Sequence, residues 1–197
     1  MEEFSVRLIR RLCVWPGALL LLALCAGIVT AVTDPVDEIF FTKVNIWFEN
    51  KDKIPSTNYH RGTILPVGAK VKITYLADGM IDFTDEAAQV TYSIVQIEKH
   101  TPGKLRELFD RYFSEKDIRP AMTRLSEDER KNIKEGKVAE GMSKDAVVMA
   151  YGYPPGHRTP TLTADEWIYW VTKNNTLEVR FRDGKVIEAV PGKGFRL

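Results

Sequence analysis

Apolar and polar residues alternate along much of residues 34–99, which predicts a series of short β-strands. The alternation is clearest in residues 43–48, in 70–75 and in 90–99, and Asp78–Gly79 is a dipeptide typical of tight hairpins. In the first of these runs Val44, Ile46 and Phe48 alternate with Lys43, Asn45 and Trp47, so the second set is expected on the solvated face. Four or five short strands predict a small all-β domain, and an SH3-like barrel is the form we expect.

A helical spacing replaces this alternation after residue 100. Thr101 can serve as an N-cap and Pro102 suits the first helical position. Leu105, Leu108, Phe109 and Tyr112 then fall on one apolar stripe. Residues 114–125 are highly charged and contain Pro120, which indicates a linker.

The last third of the chain predicts two helices followed by three antiparallel strands. Ser126 and Glu129 have the spacing of a capping box for a helix that ends at Gly136, and a second helix is expected over residues 143–151. Alternation over residues 167–190, interrupted at Asp183–Gly184, predicts the strands. The fold class is therefore α+β, with a signal or membrane segment at 1–33, a β-rich domain at 34–99, a helix and linker at 100–125 and an α+β domain at 126–197.

The N-terminal segment indicates where the protein is located. Residues 12–33 carry no charge, and this segment is long enough for a membrane-spanning helix. Three arginines precede it. We expect an uncleaved inner-membrane anchor in a bacterial envelope, with the rest of the chain in the periplasm. Cleavage after Ala31, giving a secreted protein, and lipidation at Cys25, giving an outer-membrane lipoprotein, are the alternatives.

Composition excludes several classes of protein. The chain has 28 Lys and Arg against 27 Asp and Glu, a hydrophobic fraction of 44% and a net charge of +1. A disordered chain and a strongly basic nucleic-acid binder are excluded, and we expect no nucleic-acid partner. Cys13 and Cys25 are its only cysteines, so the region after residue 33 can form no disulfide.

A set of residues in the last third resembles a known family. They are Gly141, Met142 and Ser143, then Val147 and Val148, Gly152 and Pro154, the aromatic pair Trp167 and Tyr169, and the hairpin around Asp183–Gly184. This order resembles that of the SmpA/OmlA (BamE-like) domain family. The resemblance covers about residues 126–190. It implies a helix–helix–three-strand fold and a non-enzymatic envelope protein, with a role as an accessory in outer-membrane assembly.

Aromatic and polar residues provide the candidate binding surface. Tyr59, His60 and Arg61 form a run that can hold a sugar, a peptide carboxylate or a partner loop, although Gly62 also fits a simple turn. Trp47, Trp167 and Trp170 complete the set, since alternation in each strand leaves an aromatic side chain on the face opposite the core. In the alternative interpretation, the loop of residues 153–164 folds over the aromatic side chain on that face of the last sheet.

No motif in the sequence indicates catalysis. His60, His100 and His157 lack metal-ligand spacing and are expected to be separate surface residues, and Ser143 is explained as a helix cap. A hydrolase would need the fold to gather these histidines beside acidic residues. We expect no metal, no cofactor and no enzymatic activity. The leading hypothesis is a membrane-anchored scaffold that binds an envelope protein, and the alternative is a glycan- or peptidoglycan-binding module acting through the β domain.

Overall fold

Eleven strands and four short helices make up residues 34–192, the part of the chain that this computed structural model describes. These residues belong to one compact α+β unit. The strands are β1 Ile39–Thr42, β2 Ile46–Phe48, β3 Ile54–Pro55, β4 Thr63–Leu65, β5 Lys70–Ala77, β6 Met80–Asp85, β7 Val90–Val95, β8 Phe113–Ser114, β9 Glu166–Trp170, β10 Thr176–Arg182 and β11 Lys185–Pro191. The helices are α1 Leu105–Tyr112, α2 Arg119–Met122, α3 Glu127–Glu135 and α4 Lys144–Tyr151.

The largest sheet is curled and mixed, with the strand order β3-β7-β6-β5-β1-β8. β3 pairs with β7 in parallel and the other neighbours are antiparallel. The predicted hairpin at Asp78–Gly79 is confirmed, since both residues have positive φ between β5 and β6. Buried residues alternate with more accessible ones along β6 and the first half of β5, and the buried apolar set packs with α1 into a first hydrophobic core.

The start of α1 differs from the prediction. The helix begins at Leu105 with Lys104 as its N-cap, and no side chain caps it. Thr101 is buried instead, and its hydroxyl lies 2.5 Å from Ser56 Oγ and 3.1 Å from the carbonyl of Ile97. The predicted cap is therefore wrong, because the hydroxyl of Thr101 links the turn after β7 to Ser56, the residue that follows β3. The apolar stripe itself is confirmed, since Leu108, Phe109 and Tyr112 are buried.

The predicted linker contains regular structure. Phe113 and Ser114 form β8, which pairs with β1 at the edge of the large sheet. α2 follows, with Pro120 in its first turn, where a proline costs no hydrogen bond. The β half therefore takes a strand from beyond residue 99.

The helices and strands of the last third follow the predicted order. Ser126 and Glu129 form the capping box of α3, Gly136 ends it in a left-handed conformation, and Ser143 caps α4. β9, β10 and β11 form an antiparallel sheet in the order β11-β10-β9. Its inner face and the helices enclose a second core, in which Trp167 is fully buried.

The two cores share a boundary at the β2–β4 ribbon. Trp47 packs on Gly136 at the end of α3, where a Cβ would overlap the indole, and Val67 belongs to the second core. Asn45, expected on a solvated face, is 1% exposed. That expectation is wrong because α3 and α4 cover this side of the ribbon, and the side chain of Asn45 bonds to their backbone.

None of the four helices between residues 34 and 192 has the length and apolarity that a membrane crossing requires. Residues 12–33 and Cys25, for which we predict a membrane segment and a lipidation site, lie outside the described range.

Candidate functional site

A groove of about 770 Å³ opens between the large sheet and the three-stranded sheet. Pro55 of the edge strand β3 lines it together with Val95 at the end of β7. Trp170 closes the other side from the end of β9, which is the edge strand of the smaller sheet. The groove therefore lies where the ends of three strands from both halves of the structure meet, and its size is that of ordinary ligand sites.

His100, His157 and Trp170 form an aromatic cluster on one wall of the groove. The rings of His157 and Trp170 are stacked with centroids 6.4 Å apart, and the two imidazoles are 5.0 Å apart. His100 follows β7 in a tight turn, in which its N–H donates to the carbonyl of Ile97 at 2.8 Å. His157 lies in the loop between α4 and β9, so this loop covers part of Trp170.

Two long hydrogen bonds connect His157 to its neighbours. The indole N–H of Trp170 can only donate, and it lies 3.4 Å from His157 Nε2. His157 Nδ1 lies 3.4 Å from the carbonyl of His100, which can only accept. His157 therefore joins the turn after β7 to the end of β9.

Three lysines give the groove a positive rim. Lys53 precedes β3, Lys99 follows β7 and Lys173 follows β9, and all three are exposed. Within residues 34–192 none of them has a carboxylate within ion-pair distance. Glu49 also lines the groove, but its Oε1 lies 3.0 Å from Arg61 Nη2. The balance of charge favours a ligand with negative groups.

Tyr59 and Arg61, both predicted as binding residues, lie at this site. Tyr59 lines the main groove, and a shallower cavity of about 420 Å³ adds Arg61 and Asn174. The two cavities share Glu49, Tyr59 and Lys173 and are therefore continuous. Tyr59 and Trp170, from the two halves of the structure, line the same groove.

The loop that carries Tyr59 is held by its neighbours. Asn58 has a positive φ, and its side chain accepts from the N–H of Trp47 and donates to the carbonyl of Asn45. Gly62 also has a positive φ, and a Cβ there would overlap the carbonyl of Phe48. The conformation of residues 58–62 is thus fixed before any ligand binds.

His60 points away from the groove and into the protein. Its ring stacks on Tyr151 at 3.6 Å and meets Trp47 and Tyr169 edge-on, while Nε2 donates to the carbonyl of Tyr151 at 2.8 Å. The residue keeps some exposure, but Nδ1 is inaccessible to solvent and has no hydrogen-bond partner in the described structure. Burial lowers the pKa of His60 to about 4, and backbone contacts with Tyr151 and Trp170 offset only part of this effect.

The predicted tryptophans differ in accessibility. Trp170 is half-buried and lines the groove, whereas Trp167 is fully buried and its indole N–H donates to the carbonyl of Ala164. Trp47 is half-buried between His60 and Gly136. Trp167 and the ring of His60 therefore lie beneath the predicted surface. β9 turns Trp167 toward the second core, and the loop between β3 and β4 turns His60 inward onto Tyr151.

The pairing of His100 with His157 was not predicted from the sequence. These residues are 57 positions apart. No local spacing could indicate that they meet, because only the packing of the loop after α4 against the turn after β7 brings them together. Over residues 34–192 no cluster of three or more His, Cys, Asp or Glu side chains is arranged to hold a metal ion.

No family model, curated protein or solved structure matches the chain. The resemblance of residues 126–190 to BamE-like domains therefore remains an expectation from the motif.

Proposed function

We propose that this protein is a membrane-anchored scaffold that faces the bacterial envelope and works by binding a partner protein rather than by catalysis. The observation that carries this proposal is the groove beside Tyr59 and Trp170. Aromatic side chains and arginine are the usual anchors of protein interfaces, and here they line a preformed groove.

The finer features of the fold belong to the same proposal. We infer that residues 126–190 form a BamE-like domain and that the β half is SH3-like. The order of α3, α4 and three antiparallel strands supports the first of these assignments. An accessory role in outer-membrane or envelope assembly follows from it, with residues 12–33 as the anchor.

Glycan or peptidoglycan binding is the second candidate function. The half-buried ring of Tyr59 and the polar groups of Arg61 and Asn174 in the shallower cavity favour it, since sugars need a flat apolar face and nearby hydrogen-bonding groups. In this case the β half would make the main contacts with the glycan.

Cross-linking in living cells tests the main proposal. A photoreactive amino acid placed at Tyr59 or at Lys173 is expected to form an adduct with an envelope protein, because both positions face the groove. The matched control is Lys134 on α3, which is exposed and outside the groove. The partner is identified by mass spectrometry, and its complex with the full-length protein is then reconstituted from purified components.

Adducts that form equally well from Lys134, or no adduct from the groove positions, would contradict the binding proposal. Retention of the protein on purified sacculi, lost when Tyr59 and Arg61 are changed to alanine, would favour the glycan-binding alternative.

A further inference from the structure

The groove combines an apolar floor with a cationic rim. Pro55, Val95 and Ile97 are half-buried on its floor, and none of their side chains can form a hydrogen bond. The floor thus favours aliphatic or aromatic groups of a ligand. The indole N–H of Trp170 and Nε2 of His157 are bonded to each other, so neither is free for a sugar hydroxyl.

The positive charge is distributed along the groove rather than at one point. Lys53, Lys99 and Lys173 come from three different loops, so they can meet carboxylates that are spread along a ligand. The one carboxylate in the lining, Glu49, is paired with Arg61. Negative groups on the ligand would therefore meet cations that have no competing partner within residues 34–192.

The shape of the groove favours an extended ligand. The main groove and the shallower cavity, of about 770 and 420 Å³, join at Tyr59 and Lys173. A compact ligand would occupy one of them, whereas a stretch of polypeptide would run along both. Side chains of an extended segment alternate in direction, so apolar groups can face the floor while acidic groups reach the rim.

We propose that the groove receives an extended acidic peptide segment, with apolar side chains on the floor of Pro55, Val95 and Ile97 and carboxylates against Lys53, Lys99 and Lys173. The inference rests on the proposed function, since it names the part of the partner protein that the groove recognises. The partner's segment would carry acidic residues interleaved with aliphatic or aromatic ones.

Selection from a displayed library of random peptides of about twelve residues tests this inference. The full-length protein in detergent is the bait at neutral pH. We expect the enriched peptides to alternate Asp or Glu with apolar residues. An enriched set without an excess of acidic residues, or no enrichment at all, would overturn the inference.

A charge-matched pair of variants tests the rim directly. Lys53→Gln, Lys99→Gln and Lys173→Gln combined should weaken binding of a selected peptide by about tenfold or more, because three charge contacts are lost together. The control combines Lys70→Gln, Lys116→Gln and Lys134→Gln, which removes the same charge from exposed lysines outside the groove. Control and wild-type affinities should agree within about twofold, and raised salt should weaken wild-type binding.

Two results would exclude a specific acidic-peptide site. Equal losses in both triple variants would assign the effect to net charge alone. Rim-dependent binding to vesicles of anionic phospholipid, without binding of any selected peptide, would make the ligand a lipid. In either case the in-cell cross-links from Tyr59 would still report on partner binding, so failure here is distinct from failure of the proposed function.

Discussion

The side-chain amide of Asn45 satisfies three buried backbone groups from different parts of the chain. Its Nδ2 donates to the carbonyls of Ile133 at 2.6 Å and Ala150 at 3.1 Å, and its Oδ1 accepts from the N–H of Val67 at 2.9 Å. One residue thereby joins the β2–β4 ribbon to the ends of α3 and α4. Because buried polar groups that lose their partners are costly, much of the stability at this boundary depends on Asn45.

Replacing Asn45 with alanine should lower the free energy of unfolding by about 3 kcal/mol or more, since three backbone groups would lose their partners. Urea titration of the purified protein measures this loss. The control is Asn174→Ala in an exposed turn, which should change stability by less than about 0.5 kcal/mol. Equal midpoints for the two variants would show that water can replace the amide.

At the scale of elements, one carboxylate connects two helices and a strand. Glu129 closes the capping box of α3, and its Oε1 accepts from the N–H of Ser143, the N-cap of α4, at 2.8 Å. Lys185 of β11 lies 3.3 Å from the same oxygen. Burial alone would raise the pKa of Glu129, but the hydrogen bonds from Ser143, Ser126 and Lys185 outweigh it and lower this pKa to about 2.

Glu129→Gln should destabilise the protein by about 2 kcal/mol, because the amide replaces an ionised acceptor of several hydrogen bonds. Glu127→Gln is the matched control, since Glu127 is in the same first turn but exposed. Its effect should stay below about 0.5 kcal/mol. Thermal unfolding of both variants at neutral pH provides the comparison, and similar losses would contradict the connecting role of Glu129.

Elements defined by near neighbours could be predicted from the sequence. The capping box at Ser126 and the hairpins at Asp78–Gly79 and Asp183–Gly184 are confirmed because a few adjacent residues determine their geometry. β8 could not be predicted, since two residues form a strand there only because the edge of β1 is available. The same holds at the site: Tyr59 and Trp170 were recognisable by residue type, whereas the contact of His100 with His157 depends on the tertiary fold.

At the scale of the whole molecule, the rings around His60 couple stability to pH. The pKa of His60 is about 4 in the folded protein and 6.5 for a free side chain, so the unfolded chain binds the proton more readily. Stability is therefore fully present above pH 6.5 and falls as the pH decreases toward 4. Partial burial, together with the positive charge of His157 and Lys99, also lowers the pKa of His100, which adds to the same window.

We expect the free energy of unfolding to fall by about 2–3 kcal/mol across this window. This figure already includes a reduction for the residual exposure of His60. Urea titrations at a series of pH values measure the slope. His60→Gln should remove most of it, whatever the change in absolute stability. A slope unchanged in His60→Gln would refute the assignment. Below pH 4.5 Glu129 adds a further loss of stability, because its pKa is lowered in the folded protein.

The position of His60 also affects how the chain folds as it is synthesised. His60 and Trp47 leave the ribosome early, but Tyr151 and Tyr169, which cover the His60 ring, are made about a hundred residues later. Until then the nascent β half exposes an aromatic surface and the side-chain NH2 of Asn45, whose two acceptors lie in α3 and α4. A chain terminated before Ser126 would keep both exposed, so shortened forms of the protein should be substrates for chaperones and proteases rather than independent β domains.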